Sequence, residues 1–173
     1  FKKKIMFLDR KKLKESLRKR DKLFAAWISY SHSSIAETFA KAGFDFIAID
    51  MEHSTINLSE AQRIIASCQS EGVPCLPRPV SHSNDYIKPL LESGADGMII
   101  QMVNKAEDVK NLISNFKYPP TGNRSYGVNR AQGYGFDFED YVASWNEDSS
   151  LIIQVESIEA VENIENLLKF SEI

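Results

Sequence analysis

The chain has 173 residues, of which 43% are hydrophobic and 26% charged, and a net charge of −3. That length suits one ordinary domain with its own core, and the composition is that of a globular protein rather than a disordered or fibrous one. No apolar run approaches the length of a membrane span, and Phe1-Lys-Lys-Lys leads into further charge instead of an apolar signal core, so a cytoplasmic protein with no membrane partner is expected.

The chain opens on its most basic part. Residues 1–22 hold 11 Lys/Arg against 3 Asp/Glu, leaving 10 basic and 21 acidic residues in the remainder. A basic arm suits nucleic acid. Against that, Leu13 and Leu17 mark a helical stripe, and no aromatic residue interleaves with the lysines after Phe7, as a single-strand-binding surface requires. The segment is read as a basic helix packed under the main fold, with no nucleic-acid partner.

Leu23-Phe-Ala-Ala-Trp-Ile28 reads as a first buried strand. Ser34-Ile-Ala-Glu37 has the form of a capping box, Ile35, Phe39 and Ala40 give the helix its face, and Gly43 supplies a stop. The second strand is the apolar run Phe46–Ile49, continuous as in a parallel strand buried on both faces. Asn57-Leu-Ser-Glu60 caps a helix with Leu58, Ala61, Ile64, Ile65 and Cys68 on one side, ended by Gly72. Val73–Pro79 is a third strand made irregular by its prolines. Ile87, Leu90 and Leu91 mark a short helix closed by Gly94, and Gly97–Gln101 is the fourth strand. Asn104-Lys-Ala-Glu107 then leads into a helix carrying Val109, Leu112, Ile113 and Phe116. From Tyr118 to Gly135 the chain is rich in turn residues, a length of irregular structure that is usually functional or disordered. A helix near Phe138–Trp145, a fifth strand at Leu151–Glu156 and a last helix capped by Ser157 complete the chain. Cys68 and Cys75 fall in ordinary helix and strand patterns and offer no metal knuckle, as expected of a reduced compartment.

Strand and helix thus alternate five times. Early units recur every ~20–30 residues, the size of βα units in an eightfold barrel. Five units do not close such a barrel, so the pattern fits either an open doubly wound sheet or, preferably, the first five units of a longer (β/α)8 TIM barrel forming a single domain over 1–173.

Polar groups gather where the strands end. Asp50, Glu52 and His53 follow the second strand, Arg78 ends the third, Gln101 the fourth, and Gln154 and Glu156 the fifth. In α/β folds that edge carries the chemistry. A histidine near a carboxylate can shuttle protons, Arg78 offers a planar fork for a carboxylate, and Glu156 suits a hard divalent cation. Each residue alone has an ordinary structural reading; their recurrence on successive strand ends points to a site. No lysine stands at a strand end, which disfavours Schiff-base chemistry.

The stretches Phe44-Asp-Phe-Ile-Ala-Ile-Asp-Met-Glu-His53, Pro77-Arg78, Ser93–Val103, Lys117-Tyr-Pro-Pro-Thr-Gly-Asn-Arg124 and Gln154-Val-Glu-Ser157 resemble, in order, the motifs of the HpcH/HpaI aldolase family. The resemblance implies a barrel enzyme that uses a divalent metal (Mg²⁺, Mn²⁺ or Co²⁺) to cleave or form a 2-keto-4-hydroxy acid from pyruvate and an aldehyde. It implies Glu156 as metal ligand, Gln154 as a substrate-binding glutamine, Arg78 on the pyruvate or enolate oxygen, and His53 with Asp50 as an acid/base dyad. The family's second metal carboxylate, an aspartate on strand six, is expected beyond Ile173. A homo-oligomer, trimer or hexamer, is implied as well. The alternatives are a citrate-lyase-like acyl-CoA lyase and a non-catalytic barrel or assembly subunit.

Overall fold

The computed structural model describes residues 8–173; positions 1–7 of the basic segment lie outside the described residues. After helix α1 (Leu8–Lys19) come β1 (Ala25–Ile28), α2 (Ser33–Lys41), β2 (Phe46–Asp50), α3 (Leu58–Ser70), β3 (Cys75–Arg78), α4 (Asn84–Glu92), β4 (Gly97–Ile100), α5 (Ala106–Phe116), α6 (Phe138–Asp148), β5 (Ser150–Ile153), α7 (Ile158–Glu162) and α8 (Ile164–Leu167). All strand pairs are parallel. One ladder runs β1-β2-β3 and a second joins β4 to β5. The Asp96 N–H donates to the Cys75 carbonyl at 3.0 Å, which starts β4 alongside β3. No helix among the described residues is long and apolar enough to cross a membrane.

Both faces of these strands are buried, and this is why their sequences read as unbroken apolar runs. Ala48, Leu76 and Ile99 point to one side, where they meet Leu13 of α1. Ile47, Ile49, Cys75, Met98 and Ile100 point to the other, against the apolar stripes of the helices: Ala36, Ile64, Ile65, Cys68, Leu90, Leu91, Val109 and Leu112. Leu17, Leu23, Phe46 and Ile152 extend the smaller cluster, so α1 packs across the inner face at the amino end of the strands.

Four strands are shorter than the sequence suggested, whereas β2 runs one residue further, to Asp50. The fifth ends at Ile153, and Gln154 only adds a hydrogen bond from its N–H to the Ile100 carbonyl, 2.8 Å. Gln154, Val155 and Glu156 therefore sit on a turn, where strand was expected. The Asn57–Glu60 capping box forms as expected, at 3.1 and 2.9 Å. That at Ser34 does not: His32 Nδ1 accepts the Ser34 N–H at 3.2 Å, the cap moves two residues earlier to His32, and Glu37 takes the Ser67 hydroxyl instead.

The turn-rich stretch after Tyr118 is ordered by cations against aromatic rings. The Arg124 guanidinium lies 4.6 Å from the centre of the Tyr118 ring and 4.7 Å from that of Trp145, while its Nη2 pairs with Glu92 at 3.0 Å. Arg10 of α1 lies 4.9 Å from the Trp145 ring. Arg130 reaches the Ser93 carbonyl and the Gln69 side chain. These anchors sit at the carboxyl ends of α3 and α4, beside the amino ends of the strands. The region braces the base of the fold, away from the strand ends that carry the polar residues.

Lys117 is part of this base. Its ammonium reaches the Asn146 carbonyl at 2.6 Å and the Ser149 hydroxyl at 2.8 Å, capping the end of α6. Burial, with Lys14 and Arg10 nearby and only partly offset by Glu147 and Glu172, pushes its pKa down to about 7. Above that value the unfolded chain holds a proton that the folded one has released, so stability rises with pH until the free-lysine range. Chemical denaturation between about pH 7 and 9 should show the parent gaining up to about 1.4 kcal/mol per pH unit over Lys117→Met. Parallel profiles for the two proteins would show Lys117 charged throughout.

Candidate active site

The β2–β3 register sets Asp50 beside Arg78 at the carboxyl edge. Both are nearly buried, 4% and 8% exposed. Two charges so placed need each other and further donors, and the geometry supplies both. Arg78 Nε and Nη2 donate to the two Asp50 oxygens at 3.1 and 2.8 Å, a bidentate pair. Arg78 Nη1 lies 3.1 Å from Glu52 Oε2 and donates to Gln154 Oε1 at 3.4 Å. The guanidinium also lies over the Trp27 ring of β1 at 4.9 Å. One cation thus ties together the ends of β1, β2 and the turn after β5.

Asp50 is as fully engaged. Besides Arg78 it accepts the backbone N–H groups of Glu52 and His53, each at 3.1 Å, and the Trp27 indole N–H at 3.4 Å. Its main-chain carbonyl takes the Ser54 hydroxyl. Burial alone raises its pKa, but Arg78, the His53 N–H and Trp27 outweigh this and hold it below the ordinary carboxylate value. Asp50 is a fixed negative charge that shapes the turn.

This arrangement corrects one expectation. Asp50 meets His53 only through that residue's backbone N–H; the two side chains form no dyad. A buried guanidinium claims the Asp50 oxygens, and an imidazole in solvent has no comparable need of them. The His53 side chain is 71% exposed, and its Nε2 lies 3.7 Å from Glu52 Oε2. Glu52 therefore stands between Arg78 and His53.

Around the β4 and β5 ends, Gln101 turns away from the strand edge: its Nε2 donates to the Pro79 carbonyl at 2.9 Å, bracing the turn after β3. The His82 ring meets the Gln101 carbonyl in turn. Glu156 Oε1 accepts the Met102 N–H at 2.6 Å. Its donor type suits a hard divalent cation, as does the Gln154 amide oxygen. Among the described residues, however, no group of three or more His, Cys, Asp or Glu is arranged to hold a metal ion. Glu156 offers a single carboxylate there, two residues beyond Gln154.

Trp27 and Met102 escaped the sequence reading. Trp27 occupies the penultimate position of β1, at the same edge as the other groups. A search restricted to polar strand-end residues passes over it, although its indole both covers a cation and donates a hydrogen bond. Met102 works through its backbone, for which its residue type carries no signal.

Parallel βα units here carry an arginine–carboxylate cluster on their carboxyl edge, the edge on which α/β folds place their sites. The chain belongs to the HpcH/HpaI aldolase/citrate lyase family, whose model matches residues 23–173. It is 35% identical over 158 residues to the 2-keto-3-deoxy-L-rhamnonate aldolase of Salmonella typhi, covering 90% of this chain and 59% of that protein. The crystal structure of a HpcH/HpaI aldolase/citrate lyase family protein from Burkholderia cenocepacia J2315 matches with a TM-score of 0.87 at 26% identity, over 94% of this chain and 66% of that one. The HpcH/HpaI aldolase from Desulfitobacterium hafniense DCB-2 matches with a TM-score of 0.83 at 25% identity, over 93% and 63%. The chain spans 59% of the length of the curated relatives it matches.

Removing Arg78 leaves Asp50 buried without its counter-charge. Arg78→Met should lose about 3–5 kcal/mol of stability near neutral pH, as for other broken buried pairs. The Asp50 contribution is present above the ordinary carboxylate pKa and is lost as pH falls through the lower folded value. Urea unfolding should therefore show a flatter acid limb in the variant; an unchanged limb would mean that Arg78 does not set the charge of Asp50.

Proposed function

We propose that the protein is a divalent-metal-dependent aldolase, a carbon–carbon lyase that cleaves or forms a 2-keto-4-hydroxy acid to or from pyruvate and an aldehyde, and that this chain is the first five βα units of an eightfold barrel. The observation that carries this reading is the single guanidinium of Arg78 shared by Asp50, Glu52 and Gln154, with Glu156 two residues beyond Gln154. Family membership and the aldolase names of the curated relatives support it.

The residues divide the work by position. Arg78, locked by Asp50 beneath and Trp27 on its face, presents fixed positive charge to the pyruvyl carboxylate and to the C2 oxygen on which charge develops. Preorganised donors of this kind need no reorganisation as the reaction proceeds. In the cleavage direction His53 Nε2 takes the proton of the 4-hydroxyl. The C3–C4 bond breaks, its electron pair passing into the C2–C3 enolate, and His53 returns the proton to C3. Glu52 lies beside both His53 and Arg78, 3.7 and 3.1 Å away. Gln154 orients the substrate through its amide. Glu156 would hold the cation, with a second carboxylate expected from the family pattern after Ile173. When bound, a divalent cation supplies Lewis-acid polarisation of the keto oxygen. The same reading carries small-molecule partners only, a homo-oligomer of trimer or hexamer type, and a cytoplasmic setting without nucleic acid or membrane.

Deuterium exchange at the pyruvate methyl, followed by NMR in the presence of Mg²⁺ or Mn²⁺, isolates the proton step from the aldehyde. Arg78→Lys keeps the charge but loses the fork, and should lower exchange on the order of a hundredfold. His53→Ala should abolish it while unfolding at the parental temperature, as suits an exposed side chain. If His53→Ala exchanges at the parental rate, the proton step belongs to another residue and this mechanism is wrong.

A further inference from the structure

The turn between β4 and α5 holds a backbone that its sequence does not favour. Met102 has φ of +49°, a left-handed conformation that side chains other than glycine rarely adopt. Its own side chain does not explain this, being about half exposed. Its neighbours hold it. Gln101, 3% exposed, is fixed through its amide to the Pro79 carbonyl, and Val103 is fully buried. On the far side the turn is fastened to the β5–α7 turn three times. Gln154 N–H donates to the Ile100 carbonyl, the Ser157 hydroxyl donates to Asn104 Oδ1, and Lys105 pairs with Glu159 at 3.3 Å. Between these fastenings the Met102 N–H meets Glu156 Oε1 at 2.6 Å. Strain that surrounding structure maintains in this way collects at functional positions.

We propose that the Met102 peptide is the positioning group of Glu156. Its N–H, held in place by the left-handed turn that Gln101 and Val103 lock, fixes one carboxylate oxygen, and the other would be the one to hold a cation. The inference rests on Glu156 as the cation's ligand and adds the group that aims it. A ligating carboxylate held by a hydrogen-bond donor keeps its orientation when the ion is absent, so the ion does not have to order it. Gln101, which sequence placed among the groups facing the site, acts instead through this turn.

Two measurements test this, one of them without metal. In the metal-free protein the Met102 amide is accepted by a side chain alone, so its hydrogen exchange, read by NMR or mass spectrometry, reports the contact directly. It should be protected in the parent and lose that protection in Glu156→Ala; equal exchange in the two would overturn the proposal whatever Glu156 ligates. The second is Mn²⁺ affinity by calorimetry, paired with thermal unfolding of the metal-free protein. Met102→Val, β-branched and ill suited to a positive φ, should weaken Mn²⁺ binding about tenfold or more, the range seen when a ligand's supporting partner is disturbed. Met102→Gly keeps the N–H and relieves the backbone, and should retain binding. If Glu156→Ala abolishes Mn²⁺ binding while Met102→Val binds as the parent does, Glu156 is the ligand and its anchoring by Met102 is refuted. If Glu156→Ala binds Mn²⁺ as the parent does, the ligand assignment fails by itself, and the exchange experiment still decides the hydrogen bond.

Discussion

The buried pair of Asp50 and Arg78 is the constraint to which the rest of the carboxyl edge answers. An isolated carboxylate or guanidinium at this depth would be strongly unfavourable, and pairing alone leaves lone pairs and N–H groups to satisfy. The chain meets that demand locally. The turn after β2 folds so that the Glu52 and His53 N–H groups point at Asp50, and Ser54 closes onto its carbonyl. Glu52 and Gln154 meet Nη1, and Trp27 covers a face of the guanidinium. Once Asp50 is spent in this way it cannot also orient an imidazole, and Glu52 becomes the carboxylate beside His53. The same electrostatic requirement thus fixes which acid is an anchor and which faces the exposed histidine.

Much of this was legible because parallel strands buried on both faces must be apolar throughout, so the point at which polarity returns marks an edge. Phe46–Ile49 followed by Asp50, and Gly97–Ile100 followed by Gln101, are located correctly on that argument. The Asn57–Glu60 cap is legible for a comparable reason: two side chains three positions apart satisfy each other's N–H groups without tertiary help. What was not legible depends on partners far away in sequence. Glu37 was available for a capping box, but Ser67 of α3 takes it and His32 caps the helix. The pairing of Asp50 with Arg78 joins residues 28 positions apart, and the contact of Arg78 with Gln154 joins residues 76 apart. Composition at one strand end says that a charge is present; it does not say which of several opposite charges will claim it.

The turn-rich stretch after Tyr118 shows the same limit from the other side. Gly, Pro and Asn in succession reveal a region without regular structure, and the usual inference is function or disorder. Here Arg124 and Arg10 lie against Trp145, with Tyr118 and Tyr141 completing the cluster, which fixes the stretch as firmly as a helix. Its cations are spent on aromatic faces and on Glu92 at the amino edge. Arg78 also lies on an aromatic face, but at the carboxyl edge and among groups that reach solvent through His53. Position along the strand axis, more than residue type, separates the arginines that brace the base of the fold from the one that gathers the polar groups of the carboxyl edge.

That separation bears on how Glu156 works. Side chains are held most exactly on regular strands, yet β5 ends at Ile153 and leaves Gln154 and Glu156 on a turn. A turn of this kind has no ladder to hold its side chains, and a carboxylate on it would rotate freely against solvent. The structure compensates by extending the β4–β5 pairing beyond the last ladder residues through Gln154, Ser157 and Lys105, and by turning the Met102 N–H toward Glu156. The left-handed conformation at Met102 would not persist without these contacts, since an unconstrained methionine avoids it at a penalty of roughly 1–2 kcal/mol. Rigidity at Glu156 is therefore supplied by the neighbouring strand's turn rather than by its own. Gln101 and Met102, which carry no charge, are accordingly the positions through which the orientation of Glu156 is set.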